Sequence, residues 1–237
     1  MSQPLLSQID LWSRHERRVL DVFAEALSLL RAEKDLKRSE VELNRKLYLC
    51  LHDANSQLWR SGKGGLDCVP VSEAKNQPDP DDDRRAKRED KVPDFQWSFY
   101  DHAEPNPRRS AHHFVIECKR LGSPPRADWV LNENYVGHGI LRFVHAEHGY
   151  AKGEASAAMV GYIESTEPDA ILAEVNVAAS KVGVASIPRP LAGWQIDGVS
   201  RLDHQVARPS PGSTLALRHL WVDLRSCFCT SMVHRHR

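Results

Sequence analysis

The sequence predicts an α/β domain in which a mixed central β-sheet is flanked by helices. Three observations support this class. Two amphipathic helical patterns open the 237-residue chain. Two apolar-rich runs joined by turn residues follow them, and the rest of the chain alternates strand and helix patterns. Because no internal repeat and no second core is visible, we expect one main domain over residues 39–225.

The first element is an amphipathic helix from Ile9 to about Asp35. Its apolar residues recur every three or four positions among Arg and Glu: Val19, Phe23, Leu27 and Leu30. This spacing is typical of a helix that buries one face. We therefore interpret residues 1–38 as an N-terminal helical segment packed on the core.

A second helix is predicted to begin near Ser39. Ser39 and Glu42 have the spacing of a capping box, which is a helix start signal. Three leucines follow on one helical face: Leu43, Leu47 and Leu51. Glu40 falls on that buried face and Glu42 does not, so Glu40 is a candidate site residue. It could equally be a first-turn acid favoured by the helix dipole.

The middle of the chain reads as a loop, a pair of strands, a helix and a buried strand. Residues 61–91 are rich in Gly, Pro and charge, and predict a loop with at most one strand. The strand and helix patterns then follow in this order: strands Asp94–Asp101 and His112–Arg120, a helix around 132–149 softened by Gly137 and Gly139, and a buried strand around 155–164.

The last third predicts a helix after Pro168 and two strands. The strand patterns lie within residues 193–202 and 215–225, with a Pro- and Gly-containing turn between them. Residues 226–237 form a C-terminal tail. Its Cys227, Cys229, His234 and His236 do not have a zinc-site spacing that we recognise.

Composition excludes several classes of protein. With 41% hydrophobic and 27% charged residues the chain is not a disordered segment. No apolar run approaches the roughly 18 residues of a membrane span, and the N-terminus lacks the pattern of a secretion signal. Five scattered cysteines favour a reducing compartment, so we expect a cytoplasmic protein. The formal net charge of zero means that any nucleic-acid partner must be held by local basic patches.

Two charges interrupt the second strand of the predicted pair. In the run FVIECKR, Val115, Glu117 and Lys119 share one face, because side chains alternate along a strand. Asp94 begins the first strand on the face opposite its aromatic residues. If the two strands form a hairpin, Asp94, Glu117 and Lys119 converge on one polar surface.

Such a convergence suits phosphodiester hydrolysis. Two neighbouring carboxylates repel unless a cation lies between them, and Mg²⁺ prefers one or two carboxylates with water and substrate phosphate. Lys119 would place an ammonium beside the attacking water or the phosphate. The residues thus predict a metal-dependent hydrolase of phosphodiesters.

Pro93-Asp94 followed by Glu117-Cys118-Lys119 resembles the PD-(D/E)xK signature of the restriction endonuclease-like nucleases. The resemblance extends from Ser39 to Glu164, and Glu40 occupies the place of the upstream helical Glu. It implies a restriction endonuclease-like core, a catalytic set of Asp94, Glu117, Lys119 and Glu40, and a Mg²⁺ ion for which Mn²⁺ can substitute. It further implies that Asp94, Glu117 and the Cys118 carbonyl bind the metal.

The same resemblance implies a partner and a setting. We expect a nuclease acting on DNA rather than RNA, in a restriction or antiphage defence system, with a homodimer or a defence-complex partner left open. A nuclease-like fold used as a non-catalytic nucleic-acid-binding or assembly subunit is the alternative from another class. An intact set of Asp94, Glu117 and Lys119 favours the enzyme.

The same residues also have structural interpretations. Glu117 and Lys119 could form a weak ion pair on the solvated face of an edge strand. Arg142 could contact a phosphate, but pairing with an acid on its helix surface is the favoured interpretation. The cluster of Arg84, Arg85, Lys87, Arg88 and Lys91 is expected to be a solvated loop rather than a backbone-binding patch.

Overall fold

The computed structural model describes residues 6–68, 70–78, 86–208 and 214–228. Its helices and strands, in chain order, are α1 Leu6–Ala32, α2 Glu40–Arg60, β1 Val71–Ser72, β2 Phe95–Tyr100, β3 Ala111–Leu121, α3 Leu131–Tyr135, α4 Leu141–Val144, β4 Ser156–Ile163, α5 Pro168–Lys181, β5 Val199–Ala207 and β6 Thr214–Asp223. The chain therefore has the expected α/β class.

The strands form one six-stranded mixed sheet in the order β1-β2-β3-β4-β6-β5. β2 pairs antiparallel with β1 and β3, which confirms the predicted hairpin. β4 lies parallel to both β3 and β6, and β5 returns antiparallel to β6. Every residue of β4 is buried, as expected for a central strand covered on both faces.

Helices cover the two faces of the sheet. On one face α1 and α2 contribute buried residues to a core with Phe95, Trp97 and Phe114. The predicted apolar positions of α1 and α2 are all buried there: Val19, Phe23, Leu27, Leu30, Leu43, Leu47 and Leu51. On the other face α3, α4 and α5 pack against the second core. The amphipathic patterns of α1 and α2 and the apolar pattern of α5 explain why these helices pack on the sheet.

The start of α2 differs from the prediction in its capping. Ser39 occupies the N-cap position with extended backbone, but its side chain makes no capping hydrogen bond, so the capping box is wrong. The predicted helix start near Ser39 is confirmed, because α2 begins at Glu40. At the end of α1, Asp35 adopts a φ of 57°, and the Leu36 N–H then donates to the Cys227 carbonyl.

The helix predicted to be softened by glycine is interrupted at that point. Val136–Ile140 forms a π-helical segment between α3 and α4, and it contains both Gly137 and Gly139. A π turn widens the helix and often occurs at functional sites. Residues 131–144 are therefore helical throughout. The π turn changes which side chains share one face of the helix before and after it.

Three segments of the sequence interpretation lie outside the described residues. These are residues 79–85 with Arg84 and Arg85, residues 209–213 with the predicted turn, and residues 229–237 with Cys229, His234 and His236. Cys227 and Phe228, at the start of the tail, are buried against the first core. Across the described helices, none is long and apolar enough to span a membrane.

Candidate active site

The candidate site lies where β2 begins beside β3. Phe95 pairs with Ile116, so Asp94, one residue earlier, comes beside Glu117 on the same face. From Glu117 to Leu121, β3 continues along β4 without a β2 neighbour. Glu40, in the first turn of α2, reaches these residues and accepts a hydrogen bond from Lys119.

Lys119 lies at the centre of the cluster. Its Nζ is 2.7 Å from Glu40 Oε1, 2.8 Å from Glu117 Oε1 and 4.0 Å from Asp94 Oδ2. It also donates to the Cys118 carbonyl oxygen at 2.7 Å. One ammonium therefore faces three carboxylates and one carbonyl contributed by α2, β3 and the residue before β2.

Asp94 is fixed by the backbone of β3. Its Oδ2 accepts the Cys118 N–H at 2.6 Å, and its own carbonyl accepts the Glu73 N–H. The Asp94 side chain is 19% exposed, whereas the Glu117 side chain is fully buried. Asp94 and Glu40 therefore form the solvent side of the cluster and Glu117 its floor.

Glu117 is held by two cations on one oxygen. Its Oε1 accepts from Arg142 Nη1 at 2.6 Å and lies 2.8 Å from Lys119 Nζ. Its Oε2 is buried and has no hydrogen-bond partner. A buried carboxylate oxygen without a partner is costly, so it marks a position where a further ligand is expected.

The titration of the cluster reflects burial and crowding of like charges. Burial, with the neighbouring Asp94 charge, raises the pKa of Glu117 to about 7 against the pull of Lys119 and Arg142. Burial also raises the pKa of Asp94, opposed by Lys119. Burial alone would lower the pKa of Lys119, but the three carboxylates outweigh it and raise that pKa. Lys119 is therefore an ammonium throughout the neutral range.

Arg142 and Tyr150 complete the cluster. Arg142 Nη1 lies 3.4 Å from the Tyr150 hydroxyl, and its guanidinium lies over the Tyr150 ring at 5.8 Å. The favoured interpretation of Arg142 is corrected here, because its partner is the buried Glu117 rather than an acid on its own helix. Tyr150 was missed, since it stands in a turn-rich segment without any motif.

The structure brings together Glu40, Asp94, Glu117 and Lys119. Glu40, and not Glu42, points to the cluster, as the helical phase of α2 predicted. The solvated-face interpretation of Glu117 and Lys119 is wrong, because both side chains are buried. Cys118 is buried with its thiol in the first core and contributes its backbone N–H and carbonyl to the site.

The donor atoms fit a hard divalent cation. Within the described part of the chain, no three His, Cys, Asp or Glu side chains already surround a common metal position. Mg²⁺ requires only one or two carboxylates, and takes its other ligands from water and phosphate. Asp94, the unpartnered Glu117 Oε2 and the Cys118 carbonyl supply such a set in hard oxygen atoms.

Comparison of the chain with protein-family profiles, with curated proteins and with solved structures found no match.

Proposed function

We propose that the chain is a metal-dependent nuclease of the PD-(D/E)xK type, with DNA as its preferred substrate. The observation on which this rests is the cluster at the start of β2. There Asp94, Glu117 and Glu40 surround the Lys119 ammonium, and Glu117 Oε2 is buried without a partner. A hairpin that presents the signature at its open end also supports a restriction endonuclease-like core for this sheet.

Each residue has a role that follows from its position. Asp94, Glu117 and the Cys118 carbonyl would hold the cation, which supplies Lewis-acid activation of a water and of the phosphodiester. Lys119 places positive charge where the attacking water and the phosphate oxygens gain negative charge. Glu40 holds the Lys119 ammonium in place at 2.7 Å.

Arg142 acts on Glu117 rather than on the substrate. By donating to Oε1 it anchors the carboxylate through that oxygen, while Oε2 is left without a hydrogen-bond partner. A partner that orients a ligand in this way is part of the site even though it touches no reacting atom. The Tyr150 hydroxyl limits the movement of Arg142 in turn.

The deciding experiment is cleavage of plasmid and linear DNA with Mg²⁺, Mn²⁺ or EDTA. We expect cleavage with either metal and none in EDTA. Asp94→Asn is the matched variant, because the amide oxygen still accepts the Cys118 N–H while the ligand charge is lost. Its cleavage should fall by at least about a hundredfold, since the metal loses the negative charge of one of its ligands.

Metal binding is measured separately by calorimetry with Mn²⁺. Asp94→Asn should weaken that binding, whereas Asp53→Asn, on the exposed side of α2, should not alter it. A parent protein that binds nucleic acid without cleaving it under any metal condition would support the non-catalytic alternative instead.

A further inference from the structure

Two exposed aromatic rings, which we call the aromatic pair, stack on each other near the carboxylate cluster. Trp129 lies in the loop between β3 and α3, and His138 lies in the π-helical segment. Their ring centroids are 6.3 Å apart and their planes differ by 11°. Trp129 is 44% exposed, and His138 is exposed as well. Because the indole has a large apolar surface, the pair presents a flat aromatic face to solvent.

The aromatic pair is close to the cluster because of the residue that follows His138. A Cβ at Gly139 would lie 3.4 Å from Lys119 Cγ. Neighbouring Cα atoms are about 3.8 Å apart, so the His138 backbone lies within about 10 Å of the Lys119 side chain. Arg142, which donates to Glu117, follows four positions after His138. Four positions are about one turn of an α- or a π-helix, so both side chains leave the segment on the same side.

The strand that carries the cluster also positions Trp129. β3 ends two residues after Lys119, and the loop 122–130 then leads to α3. The Gly122 N–H donates to Asn132 Oδ1 at 2.9 Å, which ties the start of this loop to α3. The Trp129 N–H closes a turn within the loop. The indole is therefore held in place by the same elements that hold the cluster.

The surroundings leave the aromatic pair open, and its loop carries no net charge. A Cβ at Gly137, beside His138, would meet no atom within 4 Å. The two charged residues of the loop, Arg126 and Asp128, lie 3.4 Å apart and form an exposed ion pair. A ligand of this surface is therefore recognised by a flat aromatic face rather than by its charge.

We propose that the aromatic pair is a stacking platform for an unpaired nucleobase of the strand whose phosphodiester lies at the carboxylate cluster. This inference rests on the proposed nuclease function, which places a nucleic acid at that cluster. Every base has a π face, so stacking binds single-stranded nucleic acid with little preference for sequence. A base inside a duplex must leave its stack before the indole can contact it. The preferred partner at this position is thus an unpaired nucleotide.

The test compares strands with and without bases. Binding of a short fluorescent oligothymidylate, and of an abasic strand of the same length, is followed by anisotropy in EDTA so that no cleavage interferes. Trp129→Ala removes the indole, and Trp129→Phe keeps an aromatic face. Trp59→Ala is the matched control, because Trp59 is 52% exposed on the last turn of α2, about 30 Å along that helix from Glu40.

We expect Trp129→Ala to bind the oligothymidylate about tenfold more weakly than the parent, because stacking on one base is lost. Trp129→Phe should stay within about threefold of the parent, and Trp59→Ala should bind like the parent. The abasic strand should bind the parent and Trp129→Ala equally, since it offers no base. The slope of log affinity against log salt should be the same for both proteins, because no phosphate contact is removed.

Equal binding of the oligothymidylate by Trp129→Ala and the parent would overturn the inference. An equal loss for the abasic strand would do so too, because the indole would then contact the backbone and not a base. If the parent dimerises in sedimentation and Trp129→Ala does not, the aromatic pair is a contact between two copies of the chain and the inference is wrong. Circular dichroism checks folding. If Trp129→Ala does not fold, His138→Ala replaces it, since it removes the other ring of the stack and should weaken binding in the same direction.

The two proposals fail in different ways. If the parent cleaves DNA but Trp129→Ala binds like the parent, the inference is wrong and the nuclease proposal stands. If Trp129→Ala loses binding to the strand with bases alone but the parent never cleaves, the inference stands and the nuclease proposal fails. A parent that binds neither strand overturns the inference.

Discussion

The Lys119 ammonium lies 2.7 Å from Glu40 Oε1, although 79 positions separate the two residues in the chain. The contact joins the first turn of α2 to the part of β3 that has no β2 neighbour. It also places a fixed cation among the carboxylates that the proposed metal would require. Lys119 therefore has two opposing effects, since it stabilises the acids and competes electrostatically with a divalent cation.

Lys119→Gln separates these effects. The amide keeps a hydrogen-bond donor while removing the charge, so Mn²⁺ should bind as tightly as in the parent or more tightly. DNA cleavage should nevertheless fall by at least about a hundredfold, because the charge beside the attacking water is lost. Calorimetry measures the first quantity and single-turnover cleavage measures the second. Equal cleavage by the folded variant and the parent would remove Lys119 from the catalytic set.

Glu40→Gln tests the upstream helical acid, and Glu42→Gln is its control on the same turn of α2. Glu40 contacts Lys119, whereas Glu42 contacts no residue of the cluster among the described contacts. We expect Glu40→Gln to lower cleavage about tenfold or more, since the ammonium loses one of its anchors. Glu42→Gln should cleave like the parent. The opposite order would mean that Glu40 only favours the helix start.

The sequence predicted the hairpin, the face of Glu117 and the phase of Glu40, because strand alternation and helical periodicity are local properties. The partner predicted for Arg142, an acid on its helix surface, is wrong. Its contact with Glu117 spans 25 positions and depends on a π turn that shifts the helical phase. Tyr150 contacts Arg142 because the turns that follow α4 bring it back to the cluster. Such contacts depend on tertiary packing, which periodicity does not contain.

Arg142→Gln tests the orientation of Glu117. Without the guanidinium, Lys119 is the remaining cation that contacts Glu117 Oε1. The carboxylate can then rotate away from the position in which it would bind the metal. Loss of a residue that orients a metal ligand typically costs about 10- to 100-fold in metal affinity or activity, and we expect that range for Mn²⁺ affinity here. Arg120→Gln is the matched control. Arg120 lies on β3 like Glu117, but its guanidinium pairs with Glu164. Weakened metal binding in both variants would indicate a general loss of stability rather than orientation.

The two glycines of the π-helical segment differ in the space available for a side chain. A Cβ at Gly139 would lie 2.5 Å from Met159 Cε and 3.4 Å from Lys119 Cγ, whereas a Cβ at Gly137 meets no atom within 4 Å. Gly139→Ala should therefore destabilise the protein by about 1 kcal/mol, because the flexible end of the buried Met159 must shift, while Lys119 keeps its place and cleavage stays close to that of the parent. Gly137→Ala should be neutral or stabilise by up to about 1 kcal/mol through helix propensity. Urea unfolding and single-turnover cleavage of both variants check the contrast.

A buried chain of hydrogen bonds behind the site predicts how stability depends on pH. Trp221 Nε1 donates to the Tyr135 hydroxyl at 2.9 Å, and that hydroxyl lies 2.7 Å from His219 Nδ1. His219 Nε2 lies 3.3 Å from His204 Nδ1, and His204 Nε2 lies 2.8 Å from the Ala185 carbonyl. The indole N–H can only donate and the carbonyl can only accept, so all the hydrogen bonds run from Trp221 toward Ala185. In this arrangement each histidine accepts through Nδ1 and donates through Nε2, and both are therefore neutral.

Acid should disrupt this chain. Burial lowers the pKa of His219 well below 6.5 and lowers that of His204, so the unfolded chain binds these protons more readily than the folded one. Their contribution to stability is present above about pH 6.5 and is lost as the pH falls below it, by up to about 1.4 kcal/mol per pH unit for each histidine. Burial also lowers the pKa of His15 to about 4, which steepens the same decline.

His219→Leu separates this titration from general acid unfolding. The variant should be less stable than the parent at about pH 8, because the Tyr135 hydroxyl loses its acceptor. It should also lose less stability than the parent between about pH 6.5 and pH 5, since one titrating group is gone. His102→Gln, at an exposed histidine, should keep the parent's pH slope. Free energies of unfolding from urea titrations at each pH measure both effects, and an unchanged slope in His219→Leu would show that His219 is not the group responsible.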